Sequence, residues 1–177
     1  MSDLATLLAA IDFAADKHRN QRRKNAEASP YINHPIQLAH VLTGEGKVTD
    51  IKTLMAAILH DTIEDTETTY DELVRHFGRT VADAVMEVTD DKSLPKAERK
   101  ARQIEHAPHL SQRAKLVKLA DKICNVRDMA HSPPASWPLS RRHEYFEWAK
   151  LVVDGLRGVH PQLEKAFDLA YEKRPEA

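Results

Sequence analysis

Leu54-Met55-Ala56-Ala57-Ile58-Leu59-His60-Asp61-Thr62-Ile63-Glu64-Asp65 joins an unbroken apolar run to four ionisable side chains. Six apolar residues in succession leave little polar face, so the pattern predicts a central, buried helix over about residues 50–61, with Asp50 as its N-cap. Neighbours on such a helix point about 100° apart, which lets His60 and Asp61 reach toward one point between them. Each has a carboxylate one turn later on its own face, Glu64 after His60 and Asp65 after Asp61. The expectation is a metal-binding pair and a carboxylate pair stacked along one central helix.

Outward from this stretch the pattern stays helical. Leu4, Leu7, Leu8, Ile11, Ala14 and Ala15 recur at three- and four-residue spacings and predict a first helix over about 3–20. A polar, basic loop from Asn20 to Asn33 follows, then a helix from His34-Pro35 to Gly44. Thr68-Thr69 before Asp71-Glu72 marks another start, and Gly78 an end. Further helices are expected over about 79–89, 95–106, 112–129, 140–157 and 161–173, with a proline-rich loop at 131–138. No repeat or linker interrupts them. Residues 1–177 are therefore expected to form a single compact all-α bundle of about eight to ten helices.

Composition agrees. Of 177 residues, 42% are hydrophobic and 30% charged, which is globular composition, and five glycines are too few for a turn-rich β architecture. No apolar run approaches the ~20 residues that span a bilayer, and the N-terminus lacks the signature of a signal peptide. Cys124, the one cysteine, has no partner for an internal disulfide. A cytoplasmic protein without a membrane partner is the expectation. A formal net charge of −1 offers no global attraction to nucleic acid. Local basic clusters at 22–24, 92–100, 115–122 and 141–142 suit a small polyanion, although solvated helix faces account for most such residues.

Two further residues join the His60-Asp61 pair. His34 opens an earlier helix, and Asp121 lies in the apolar stretch Leu116-Val117-Lys118-Leu119-Ala120-Asp121. A carboxylate so placed is costly unless paired or bound to metal. A bare His-Asp pair is a weak signal; four such residues in helices that pack together are a stronger one.

The order His34, His60-Asp61, Asp121 resembles that of the HD-domain metal phosphohydrolases. The blocks Arg22-Arg23-Lys24 with Pro30-Tyr31-Ile32-Asn33-His34-Pro35, Ala57 to Thr66, Glu87-Val88-Thr89-Asp90-Asp91-Lys92, and Lys115 to Lys122 resemble more narrowly the hydrolase domain of RelA/SpoT enzymes, which degrade the alarmones ppGpp and pppGpp. The resemblance covers roughly residues 1–170. Asp91-Lys92 with Leu94-Pro95-Lys96 and Glu98-Arg99-Lys100 is nearest the small stand-alone alarmone hydrolases of the metazoan SpoT-homologue type. It implies a divalent cation, usually Mn²⁺, held by His34, His60, Asp61 and Asp121, and a catalytic pair Glu64 and Asp65. It implies a guanine nucleotide as substrate, with Arg23 stacked on the base, Lys24, Lys96 and Arg141 facing phosphates, and Asn125 and Tyr145 near the ribose and phosphates. Removal of the 2′-phosphate of NADPH, or another HD-type nucleotide hydrolysis, is the alternative. One departure stands out: Asn25-Ala26-Glu27-Ala28-Ser29 lacks the glycine that relatives often carry there.

Overall fold

The computed structural model describes residues 2–176. Among these the chain is all-α: α1 (Asp3–Lys17), α2 (Asn33–Gly44), α3 (Ile51–Leu59), the single turn α4 (Thr62–Asp65), α5 (Tyr70–Phe77), α6 (Arg79–Val88), α7 (Lys96–His106), α8 (Gln112–His131), α9 (Leu139–Asp154) and α10 (Pro161–Tyr171), with a 3-10 turn at Ala107–His109. Side chains that satisfy the free amides of the first turn set several starts. Ser2 accepts from Ala5 N, Asp50 from Thr53 N, Thr69 from Glu72 N and Ser111 from Ala114 N. Gly78 stops α5 with φ 84°, a conformation that suits glycine.

α3 is the hub. Every residue from Thr53 to Leu59 is buried, and the helix packs against α1, α2, α6 and α8. Each large side chain buried here contributes about 1.5–3 kcal/mol, so α3 is anchored by packing on all sides. α8 passes alongside and also packs against α2, α6, α9 and α10. The start of α2, the end of α3 and the middle of α8 thereby converge.

The expected continuous helix over 50–61 and beyond is broken. α3 ends at Leu59, and Asp61 takes φ −101°, ψ 0° before α4 begins at Thr62. Side chains compete for the carbonyls at the break. His60 Nδ1 takes Ala57 O at 2.7 Å, and Thr62 Oγ1 takes Leu59 O at 2.7 Å. The His60-Asp61 pair and the Glu64-Asp65 pair therefore sit on two short segments joined by a kink. Helices α1 and α9 are also shorter than their periodicity suggests, α1 ending at Lys17 and α9 at Asp154.

The loop before Pro30 closes without glycine. Ala28 adopts φ 47°, Arg22 and Pro30 form an isolated antiparallel bridge, and Arg23 N donates to Ser29 O at 2.8 Å. Asn25 Oδ1 accepts from Ser29 N at 3.1 Å and holds the turn from inside.

Candidate metal centre and nucleotide cleft

His34, from the first turn of α2, and Asp121, from the middle of α8, meet at 3.0 Å between Nε2 and Oδ1. His60 Nε2 lies 2.9 Å from Asp61 Oδ2 and 3.9 Å from Asp121 Oδ1. Among the described residues, one donor atom each from His34, His60 and Asp121 falls within a 4.8 Å cluster, and Asp61 adjoins it through His60. The kink after Leu59 is what turns Asp61 toward the others.

The protonation of His60 tests whether a cation fits. A carbonyl only accepts, so the contact with Ala57 O requires a proton on Nδ1. Nε2 then faces two carboxylates, is buried, and makes no aligned hydrogen bond among the described residues. A bare lone pair opposite carboxylate lone pairs is unfavourable unless a positive charge lies between them. Burial favours neutral His60, but the charges of Asp61 and Asp121 outweigh it and hold the group up to about 9. Burial likewise opposes ionisation of Asp61 and Asp121, yet His60 keeps Asp61 below the usual carboxylate range, and Lys122 and His34 do the same for Asp121. Two imidazoles and two ionised carboxylates, with paired donor atoms 2.9 to 3.9 Å apart, suit a divalent cation with bonds of about 2.1 Å.

Neighbouring groups orient these side chains, as is usual around metals. Tyr31 donates its hydroxyl to Asp61 Oδ2. Asn125 donates to Asp121 Oδ1 at 2.7 Å, and Lys122 pairs with Oδ2 at 3.1 Å. Lys118 and Lys122, grouped by sequence with the solvated basic faces, are instead buried at 8% and 3% exposure.

Glu64 and Asp65 border the same hollow of about 180 Å³ as His60, Asp61 and Asp121. Glu64 Oε2 accepts from Asp90 N at 2.9 Å. Burial, reinforced by the Asp61 charge, pushes Glu64 up to about 7, the range of a group that exchanges protons near neutrality. Asp65 pairs with Lys92 and accepts from Gln21.

This hollow adjoins a cleft of about 560 Å³, and Arg23, Tyr31, His34, Asp65 and Asn125 line both. Arg23, Lys24, Asn125 and Tyr145, expected from sequence to meet the nucleotide, all line the cleft. Lys96 and Arg141 do not line it; they reach its margin by packing over Trp137, with the Arg141 guanidinium 4.0 Å and Lys96 Nζ 5.6 Å from the ring centroid. Arg23 pairs with Asp128 at 2.7 Å and lies 5.7 Å from the centroid of Tyr31. Gln21, Tyr31, Lys92, Asp128 and Trp137 were not singled out as site residues by sequence. Tyr31 and Lys92 stand inside the quoted motif blocks, which is the one signal that pointed to them.

The fold and site define a class. The chain belongs to the HD-domain family, whose model, described as HD domain, matches residues 10–151. More narrowly, it groups with the RelA/SpoT-type hydrolases of the metazoan SpoT-homologue kind. It is 58% identical over 173 residues to the Mus musculus guanosine-3′,5′-bis(diphosphate) 3′-pyrophosphohydrolase MESH1, covering 98% of this chain and 97% of that protein. The Danio rerio protein of the same name is 55% identical, covering 98% and 96%. The bifunctional (p)ppGpp synthase/hydrolase SpoT of Escherichia coli K12 is 39% identical over 91% of this chain but 24% of its own length. A solved structure described as a metazoan ortholog of SpoT that hydrolyses ppGpp and plays a role in starvation responses superposes with a TM-score of 0.93, at 48% identity and 96% coverage of each chain.

Proposed function

We propose that this protein is a metal-dependent guanosine-3′,5′-bis(diphosphate) 3′-pyrophosphohydrolase, converting ppGpp or pppGpp and water to GDP or GTP and pyrophosphate. The observation that carries this reading is the continuity of a four-residue His/Asp centre with a basic, nucleotide-sized cleft. The likeness to proteins named for that activity supports it.

In this reading His34, His60, Asp61 and Asp121 hold the cation, Mn²⁺ by the mixed imidazole and carboxylate set. When bound, such a cation lowers the pKa of water and offsets charge on a phosphate oxygen. The chain's own groups do the rest. Glu64, poised near neutrality and fixed by Asp90 N, accepts a proton from the attacking water, while Asp65 on the cleft side orients it. Water attacks the phosphorus nearer the ribose, and the bond from that phosphorus to the 3′ oxygen breaks. Arg23 offers a flat face to guanine, Asn125 and Tyr145 border the ribose and phosphates, and Lys24, Lys96 and Arg141 supply the positive charge that the chain as a whole lacks.

Residues 1–177 act as one HD-type domain in this reading, supported by a core that runs from Ala10 in α1 to Ala170 in α10. No helix among the described residues is long and apolar enough to cross a membrane. The free, buried Cys124 suits a reducing cytoplasm.

Glu64→Gln and Asp65→Asn test the assignment of chemistry. Each is expected to keep the metal and lower kcat for ppGpp by about 10²–10⁴-fold. Wild-type rates in both variants would refute the catalytic pair.

A further inference from the structure

Asp65 is held on both oxygens by two dissimilar partners. Lys92 pairs with Oδ1 from an exposed loop, its side chain 50% exposed. Gln21 Nε2 donates to Oδ2 at 3.3 Å from the opposite side. The lysine carries a charge that a polyanionic ligand competes for. The glutamine carries none, and it is backed from inside the protein.

That backing is His18, which caps the C-terminus of α1 and is 2% exposed. Its Nδ1 lies 2.7 Å from Gln21 Oε1, and Gln21 N donates to His18 O at 2.9 Å, so the two residues close one turn. The chemistry of the partners fixes the protons along the path from His18 Nδ1 to Asp65. An ionised carboxylate only accepts, so Gln21 must present its NH₂ to Asp65 and its oxygen to His18. His18 Nδ1 must therefore donate. A residue lacking that donor leaves the amide free to turn over, which sets its oxygen against the carboxylate. The His18 ring is itself wedged 4.9 Å from Tyr31, whose hydroxyl holds Asp61.

We propose that Gln21 is a positioning residue for Asp65 and that His18 sets the direction of the Gln21 amide, forming a relay His18–Gln21–Asp65 that keeps the carboxylate aimed when substrate draws Lys92 away. The inference rests on the reading of Asp65 as part of the catalytic pair. Neither His18 nor Gln21 touches the reacting atoms; both act through Asp65.

The test is steady-state hydrolysis of ppGpp with saturating Mn²⁺ by Gln21→Ala, His18→Phe, His18→Asn, the double variant Gln21→Ala/His18→Phe, and Asp65→Asn. Melting temperature and metal content are measured on each. Gln21→Ala and His18→Phe are expected to lower kcat about tenfold, the effect of one lost hydrogen bond, with KM within about twofold and metal content unchanged. The double variant should be no slower than Gln21→Ala alone, because both changes cut one relay. His18→Asn, whose amide donates from nearly the place of Nδ1, should recover most of kcat. Multiplying losses in the double variant, His18→Asn as slow as His18→Phe, or a raised KM at unchanged kcat in Gln21→Ala would each overturn the proposal. A slow Asp65→Asn beside a wild-type Gln21→Ala would overturn it alone. A wild-type Asp65→Asn would overturn the reading of Asp65 and the relay with it.

Discussion

The backbone N–H of Asp90 donates to Oε2 of Glu64 at 2.9 Å, tying the loop after α6 to the turn that follows His60-Asp61. This bond favours the charged carboxylate, yet burial and the Asp61 charge win and raise Glu64 to about 7. Between the ordinary glutamate value of about 4.3 and about 7 the folded state thus binds more protons at this site than the unfolded chain. The Glu64 contribution to the stability of the metal-free protein therefore falls as pH rises through that window. Glu64→Gln removes the titration and keeps an acceptor for Asp90 N. In chelator, the variant is expected to melt higher than wild type at pH 8, and by a smaller margin at pH 5. A margin that does not change with pH would contradict this account of Glu64.

Asp121 does more than face the metal centre. Its Oδ2 meets Lys122, which is 3% exposed, so Asp121→Ala strands a buried ammonium. We expect loss of bound metal together with about 3–5 kcal/mol of stability, read by chemical denaturation in chelator. His60→Ala should also lose the metal; it takes the imidazole from Asp61 but leaves that carboxylate its hydrogen bond from Tyr31. Full metal occupancy in either variant, by elemental analysis, would sink the ligand assignment.

Arg23 and the rim cations should respond differently to salt. Arg23 pairs with Asp128 and presents a planar group to the cleft, so Arg23→Ala is expected to raise KM for guanine nucleotides with little change in its salt dependence. Arg23→Lys should not restore it, because an ammonium does not stack as a plane. Lys96→Ala and Arg141→Ala should raise KM and flatten its dependence on ionic strength. A KM series for ppGpp over increasing salt separates the two behaviours; four variants that behave alike would remove the basis for placing guanine on Arg23.

Ala28 supplies the left-handed turn that a glycine would take elsewhere, at φ 47°. An L-residue there costs about 1–2 kcal/mol, and the larger unfolded-state freedom of glycine offsets part of that. Ala28→Gly is expected to stabilise the protein by about 0.5–1 kcal/mol in urea denaturation. A destabilised variant would show that the Asn25–Ser29 turn gains more from its side chains than it loses to strain.

Much of this was legible in the sequence because the signals were local. Helical periodicity found α1, α2 and α5 to α10, and the apolar run 54–59 marked α3 as central. The kink at His60-Asp61 was not legible, since it depends on His60 and Thr62 taking the carbonyls of Ala57 and Leu59 in place of the backbone amides. Spacing and family resemblance singled out His34, His60, Asp61 and Asp121, which the folded chain brings together. Tyr31, Gln21 and Lys92 were given no role at the site for a different reason. Their partners Asp61 and Asp65 lie 27 to 44 positions away, and nothing in a polar loop says which distant carboxylate it will meet. The burial of Lys118 and Lys122 was hidden likewise, because a lysine on a helix reads as a solvated face until the neighbouring helices are in place.

The most direct measurement is kcat/KM of the purified protein against a nucleotide panel of ppGpp, pppGpp, GDP, GTP and NADPH, each with Mn²⁺, with Mg²⁺ and with chelator. The account predicts that ppGpp and pppGpp turn over fastest with Mn²⁺, yielding one pyrophosphate per GDP or GTP, and that chelator abolishes the activity. Undiminished turnover in chelator, or NADPH turnover exceeding that of ppGpp, would contradict it.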